Sequence, residues 1–167
     1  MAKILIIEDE KAIRNVLSNI LSEEDKSYEV DLAGDGLEGL KMLTDNTYDL
    51  VLCDIKMPKM DGIELLDKTM ANKPDLTFVM ISGHGDIDTA VECIKKGAFD
   101  YIAKPPDLNR LLNTIRNGLD RKTLVAQNKV LKKKVRKKYM MVGSSLKLQK
   151  IHDMIERVAP TDVRVLI

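Results

Sequence analysis

Acidic side chains, a hydroxyl and a lysine stand directly after apolar runs of the sequence, and their types suit metal and phosphate chemistry. They are Glu8, Asp9 and Glu10 after the first run, Asp54 after the third, Ser82 after the fourth and Lys104 after the fifth. Crowded carboxylates repel one another unless a cation lies between them, and oxygen ligands without cysteine or histidine spacing favour Mg²⁺ over zinc. A lysine and a hydroxyl beside magnesium form a phosphoryl-binding site, in which an aspartate can act as the nucleophile that forms an acyl phosphate.

The elements that must position these residues alternate regularly along the chain. Apolar and β-branched runs predict five strands, at 3–7, 28–33, 50–53, 77–81 and 99–103. After each strand, apolar residues spaced by three and four predict a helix. The order predicts an α/β fold, a doubly wound five-stranded parallel sheet with helices on both faces. Because ligands bind at the carboxyl ends of such strands, the polar residues should meet at one edge.

Composition narrows the class of protein. The 167 residues include 27 basic and 26 acidic side chains, and the net charge of +1 argues against a uniformly basic nucleic-acid coat. No apolar run approaches the roughly 20 residues of a membrane helix, and the start MAKILIIEDE is not typical of a signal peptide. Cys53 and Cys93 have no metal-ligand spacing and are predicted to be reduced core residues. We therefore expect a cytoplasmic protein with no membrane partner.

Four motifs resemble the receiver domains of two-component response regulators. They are IIEDE, LCDIKMPKMDG, ISGHGD and DYIAKP, each at the end of the expected strand, over residues 2 to about 120. This resemblance implies the CheY-like, flavodoxin-like strand order 2-1-3-4-5. The last stretch of the chain adds a resemblance to NtrC-type regulators, the activators of sigma-54-dependent transcription.

The resemblance also implies which residues take part in phosphorylation. Asp54 matches the phosphorylated aspartate, although taken alone it could be a helix cap. Glu8 and Asp9 match the acidic pair that holds Mg²⁺ together with Asp54 and the backbone carbonyl of Lys56. The implied phosphoryl donor is a phosphohistidine on a cognate sensor histidine kinase, with small acyl phosphates as substitutes.

Further positions match the switching residues of the family. Ser82 matches the residue whose hydroxyl moves toward the phosphoryl group. Lys104 matches the lysine that pairs with the phosphoryl group, and the family likeness implies that the Lys104–Pro105 bond is cis. Tyr101 matches the aromatic residue that turns inward, or is a plain half-buried strand residue. Lys56 and His84 fall at the positions that tune self-dephosphorylation; His84 is otherwise a solvated turn residue.

A basic segment follows the receiver. Residues 129–138 read KVLKKKVRKK, with seven basic residues and no acid, which leaves −6 for the rest of the chain. Leucines at d and an asparagine and a valine at a of a heptad predict a parallel two-stranded coiled coil and a homodimer. These linker residues are Leu124, Asn128, Leu131 and Val135.

The last stretch resembles the opening of the AAA+ ATPase domain of NtrC-type activators. The expected organisation is a receiver domain at 1–120, a helical linker at 121–140 and an N-terminal stub of the ATPase domain at 141–167. Because no GxxxxGK[ST] phosphate loop occurs, we expect neither ATP binding nor enzyme activity, and we interpret the chain as a fragment of a longer regulator. DNA and sigma-54 RNA polymerase would be contacted only by domains outside this chain.

The leading hypothesis is therefore a phosphoacceptor receiver that controls oligomerisation and transcription activation by a longer protein. Two alternatives stay open: a module that dimerises through its linker, with phosphorylation secondary, and a nucleic-acid binder that works through the basic residues 129–138.

Overall fold

The structure, a computed structural model, describes residues 2–83, 87–121 and 145–159. It divides into two compact units, Met1–Ala126 and Gln127–Ile167. The first unit contains all the candidate site residues that the structure describes.

Five parallel strands form the sheet of the first unit. They are β1 (Ala2–Ile7), β2 (Tyr28–Ala33), β3 (Leu50–Asp54), β4 (Thr77–Ser82) and β5 (Asp100–Ala103). Their order in the sheet is β2-β1-β3-β4-β5, which confirms the predicted fold class and strand order. Two boundaries differ from prediction in a way that matters: Asp54 pairs with Ile81, and Ser82 pairs with Ala103. Both residues are thus the last members of their strands and do not follow them.

A helix follows each strand. The helices are α1 (Lys11–Glu24), α2 (Gly36–Asp45), α3 (Gly62–Asn72), α4 (Ile87–Lys95) and α5, at 108–121 in the described part of the chain. Aspartates cap three of them, because an aspartate oxygen satisfies a free backbone N–H of the first turn. Asp35 accepts from Glu38 N at 2.9 Å, Asp61 from Glu64 N at 2.8 Å and Asp107 from Arg110 N at 2.8 Å.

The sheet is buried on both faces, which is why its central strands are continuous apolar runs. Alternate residues of each strand point to opposite faces, so that Leu5 and Ile7 join one core cluster while Ile4 and Ile6 join the other. The first cluster also contains Cys53 and Cys93, both free thiols, as predicted. Strands β3 and β4 are buried at every residue, so the side chains at their carboxyl ends are held by the core.

The second unit contributes the helix α6 (Leu146–Val158), where the apolar spacing predicted one. It exposes Ile151, Met154 and Ile155. The predicted coiled-coil residues Leu124, Asn128, Leu131 and Val135 and the predicted strand at 163–167 lie outside the described residues. None of the helices in the described ranges is both long enough and apolar enough to cross a membrane.

Candidate functional site

Three carboxylates meet at the carboxyl edge of the sheet. Glu8 and Asp9 continue from the end of β1, and Asp54 ends the neighbouring strand β3. One oxygen from each lies within 4.8 Å of the others. Glu8 and Asp54 are buried, with 1% and 5% of their surface exposed, whereas Asp9 is exposed. Glu10, which the sequence placed beside them, instead occupies the N-cap position of α1, where its exposed side chain makes no capping hydrogen bond and lies outside this described cluster.

Lys104 reaches into the same edge from the end of β5. Its Nζ lies 2.7 Å from Glu8 Oε2 and donates to Asp54 Oδ2 at 2.8 Å, with 16% of the side chain exposed. Its backbone N–H donates to Ser82 O at 2.7 Å, which ties the ends of β4 and β5 together. The Lys104–Pro105 bond is cis, as predicted. Asp54 is therefore paired with a lysine. It is not the cap of the next helix, because the cap of α3 is Asp61.

The charges at this edge are only partly balanced. Burial raises the pKa of Glu8, the negative charge of Asp54 raises it further, and Lys104 offsets part of the rise. Burial lowers the pKa of Lys104, but its hydrogen bond to Asp54 and its ion pair with Glu8 outweigh burial and raise the pKa above its usual value. No hydrogen bond of good geometry reaches Glu8 Oε2 from the described residues, although Lys104 lies within ion-pair distance.

This donor set fits a magnesium ion. Three carboxylates and one ammonium leave two negative charges in excess, which a divalent cation would balance. All the side-chain donors are hard oxygens, and the exposed Asp9 leaves one side open for the waters that Mg²⁺ usually keeps.

The loop between β3 and α3 lies next to this cluster. It contains Lys56, whose side chain is exposed and whose carbonyl is the predicted fourth metal ligand. Gly62 N donates to Ile55 O at 2.8 Å, which closes the loop onto the strand. Lys59 adopts a left-handed backbone with φ 68°, and its ammonium pairs with Asp35 at the start of α2. The loop is therefore anchored at both ends.

The predicted switching residues lie on β4 and β5. Ser82 is buried, with 2% exposed, at the end of β4, and the β3–β4 pairing brings it to the same edge as Asp54. Tyr101 is half-buried, packs against the first core cluster and lines a groove beside α4. His84 lies outside the described residues.

One polar side chain at this edge was not singled out from the sequence. Arg14, in the first turn of α1, donates Nη1 to the backbone carbonyl of Glu8 and, at 3.5 Å, to that of Asp9. In the sequence, only its position one helical turn beyond the acids could have indicated this contact. A solvated arginine on the helix surface could have the same spacing.

Comparisons with known proteins agree with this fold. The family model of the response regulator receiver domain matches residues 4–116. The nitrogen assimilation regulatory protein NtrX of Azorhizobium caulinodans is 37% identical over 166 residues, covering 98% of this chain and 36% of that protein. The transcriptional regulatory protein ZraR of Klebsiella oxytoca is 35% identical over 164 residues, with the same coverage of both.

Solved structures show the same likeness. The crystal structure of NtrX from Brucella abortus in complex with ATP superposes with a TM-score of 0.75 at 38% identity, covering 98% of this chain and 36% of that one. A CheY-like receiver domain protein from Methanospirillum hungatei JF-1 superposes with a TM-score of 0.69 at 35% identity, covering 74% of this chain and 97% of that one.

The chain belongs to the response regulator receiver domain family. Its predicted likeness to the NtrC-type regulators is confirmed, because the match to proteins such as NtrX continues beyond the receiver over 98% of the chain. The chain spans about a third of the length of these relatives, 36% for both NtrX and ZraR.

Proposed function

We propose that this chain is the phosphoacceptor receiver of a two-component response regulator and that Asp54 accepts the phosphoryl group from a sensor histidine kinase. The observation that supports this most strongly is the position of the Asp54 carboxylate. It is buried at the edge of the sheet, lies within the three-acid cluster and is hydrogen-bonded to Lys104.

The chemistry is a transfer between two nucleophiles. An Asp54 carboxylate oxygen attacks phosphorus, the bond from phosphorus to the imidazole nitrogen of the kinase breaks, and the departing imidazole keeps the electron pair. Glu8, Asp9, Asp54 and the carbonyl of Lys56 would hold Mg²⁺, which neutralises charge on the phosphoryl oxygens when bound. Held in this way, the Asp54 carboxylate would be oriented as the acceptor. We do not expect the chain itself to be an enzyme.

Lys104 is the residue whose partners change most in this proposal. Before transfer its ammonium is shared between Glu8 and Asp54. After transfer it pairs with the phosphoryl oxygens, while the hydroxyl of Ser82 moves toward the same group and Tyr101 turns inward. Lys56 and His84 would set how fast water removes the phosphoryl group.

The kinase would dock on a groove beside Lys104. An apolar groove of about 610 Å³ lies beside Lys104, lined on one side by α1 residues such as Ile13 and Val16 and on the other by Pro105 and Pro106. A helix presenting a phosphohistidine could reach Asp54 from this groove.

The longer regulator would turn phosphorylation into transcription control in the cytoplasm. Similar proteins are named as transcriptional regulatory proteins, which supports an output in transcription. That output would act on DNA and sigma-54 RNA polymerase through domains outside this chain. We further propose a homodimer formed through the linker residues Leu124, Asn128, Leu131 and Val135.

Intact-mass spectrometry after incubation with acetyl phosphate and Mg²⁺ tests the proposal. The wild type should gain one phosphoryl group, and Asp54→Asn should gain none, because an amide is a poor nucleophile. Asp61→Asn is the matched control, since Asp61 is an exposed helix cap in the following loop. Labelling of Asp54→Asn at the wild-type rate would show that another residue is the acceptor.

A further inference from the structure

Arg14 holds the main chain from which two of the three acids project. Its Nη1 donates to Glu8 O and Asp9 O, and its own backbone N–H donates to Glu10 O at 2.9 Å. The side chain thus contacts two consecutive carbonyls of the turn between β1 and α1, while the bond to Glu10 O is the ordinary backbone bond of the first helical turn. The side chain is half-buried, so the guanidinium is partly withdrawn from water.

These carbonyls lie where the sheet no longer supports the chain. The β1 ladder ends at Ile7, which pairs with Ala33 and Cys53. Glu8 N still donates to Ala33 O at 3.1 Å, but the chain then leaves the sheet and turns into α1. Carbonyls in such a turn need donors from elsewhere, and Arg14 supplies them.

The neighbouring turn between β2 and α2 lies beside the guanidinium. A Cβ at Gly34 would lie 3.4 Å from Arg14 Nη1 and 3.4 Å from Glu38 Oε2, which is ordinary van der Waals contact. Glu38 Oε2 also accepts from Gly34 N at 2.6 Å. The Arg14 side chain therefore bonds to the turn after β1 and lies near the turn after β2.

We infer that Arg14 is a positioning residue for the acidic pair. By fixing the carbonyls of Glu8 and Asp9 it fixes the direction in which their carboxylates point. The inference rests on the proposed function, because its effect is on the affinity of those carboxylates for Mg²⁺. Groups that orient metal ligands from behind typically change metal affinity by about 10- to 100-fold when removed. We expect the low end of that range, roughly tenfold, since the strand still holds Glu8 from one side.

Calorimetric titration of Mg²⁺ into the whole chain tests the inference. Arg14→Ala should bind Mg²⁺ about tenfold more weakly than wild type, and Arg14→Lys should recover part of the loss, because an ammonium can reach one carbonyl but lacks the planar fork. Arg116→Ala is the matched control: Arg116 is an exposed helix arginine that pairs with Glu24 at the other end of α1. It should leave the Mg²⁺ affinity unchanged.

Two further readouts separate positioning from general loss of stability. The Mg²⁺ concentration that gives half the maximal rate of phosphorylation by acetyl phosphate should rise about tenfold in Arg14→Ala, with the rate at saturating Mg²⁺ unchanged. Without metal, the backbone amides of residues 8–10 should exchange hydrogen faster in Arg14→Ala than in Arg116→Ala.

The inference is overturned if Arg14→Ala keeps the wild-type Mg²⁺ affinity, or if Arg116→Ala loses as much. If the wild type itself neither binds Mg²⁺ nor gains a phosphoryl group, the proposed function fails with it. If the wild type does both and Arg14→Ala matches it, only the role of Arg14 is wrong.

Discussion

Glu8 and Asp9 are neighbours in the sequence, but the fold gives them different environments. Glu8 is 1% exposed and lies against Lys104, whereas Asp9 is exposed. Both residues follow the last residue of β1, where the chain leaves the sheet; one acid is packed at the edge of the core there and the other faces water. The burial of Glu8 has a cost, since its pKa is raised first by burial and then by the charge of Asp54.

That cost predicts a pH-dependent gain of stability in Glu8→Gln. A carboxyl whose folded pKa is above its unfolded value, about 4.3, stabilises the fold fully below the unfolded value and loses that contribution as pH rises through the folded pKa. Without metal, the free energy of unfolding of Glu8→Gln should therefore rise relative to that of wild type as pH rises from about 4 to 8. The expected difference is roughly 1–2 kcal/mol, the usual cost of an imperfectly paired buried group. Urea unfolding in a chelator at several pH values measures this difference.

The control for this prediction is Glu23→Gln, which alters an exposed glutamate on α1. Its stability relative to wild type should not change over the same pH range. Saturating Mg²⁺ should stabilise the wild type more than Glu8→Gln. A pH-independent difference between Glu8→Gln and wild type would contradict the electrostatic explanation.

At the scale of elements, the turn between β3 and α3 depends on close backbone contact. A Cβ on Gly62 would overlap the carbonyl of Asp54 and approach the main chain of Ile55, neither of which can yield without moving the acceptor residue. Gly62→Ala should therefore destabilise the fold by about 1–3 kcal/mol, as overpacking does, and should slow phosphorylation. Urea unfolding and the rate of labelling by acetyl phosphate measure the two effects.

Gly83 provides the comparison for that variant. A Cβ there would have no heavy atom within 4 Å among the described residues. Gly83→Ala should change the free energy of unfolding by less than about 0.5 kcal/mol. If both variants lost the same free energy of unfolding, the close contact between Gly62 and Asp54 would not be the cause of the destabilisation.

The elements themselves were predictable because the sheet is buried on both faces. Runs such as 50–53 and 77–81 have no alternation to misread, and each begins where predicted. Their ends were placed one residue short, since Asp54 and Ser82 are polar but still pair in the ladder. The meeting of acids and lysine at one edge followed from parallel topology. The bonds from Arg14 did not, because spacing along a helix does not reveal which loop carbonyls lack donors.

At the scale of the whole molecule, the similarity to known regulators extends beyond the receiver domain. The match to NtrX and ZraR covers 98% of this chain but only 36% of those proteins. The predicted coiled-coil residues Leu124, Asn128, Leu131 and Val135 lie outside the described ranges. Their role in assembly therefore stays a prediction from the heptad pattern.

The heptad pattern predicts that Leu124→Asp with Leu131→Asp is monomeric while the receiver stays folded. Charged residues at both d positions would remove the apolar seam that holds two helices together. Ala126→Asp with Lys133→Asp is the control, because both changes fall at the outward f position of the same register. Light scattering should give a dimer for wild type and control and half that mass for the leucine variant. The same mass for all three proteins would leave residues 121–138 as a solvated basic helix.

The central claim is that Asp54 forms an acyl phosphate, and chemical trapping tests it most directly. Borohydride reduces an acyl phosphate to the alcohol, which converts a phosphorylated aspartate to homoserine and leaves free carboxylates unchanged. After incubation with acetyl phosphate and Mg²⁺, peptide mass spectrometry should find homoserine at position 54 and should lose that signal when Mg²⁺ is removed. Homoserine at Asp9 instead, or an unreduced Asp54 in protein that carries the phosphoryl mass, would contradict the account.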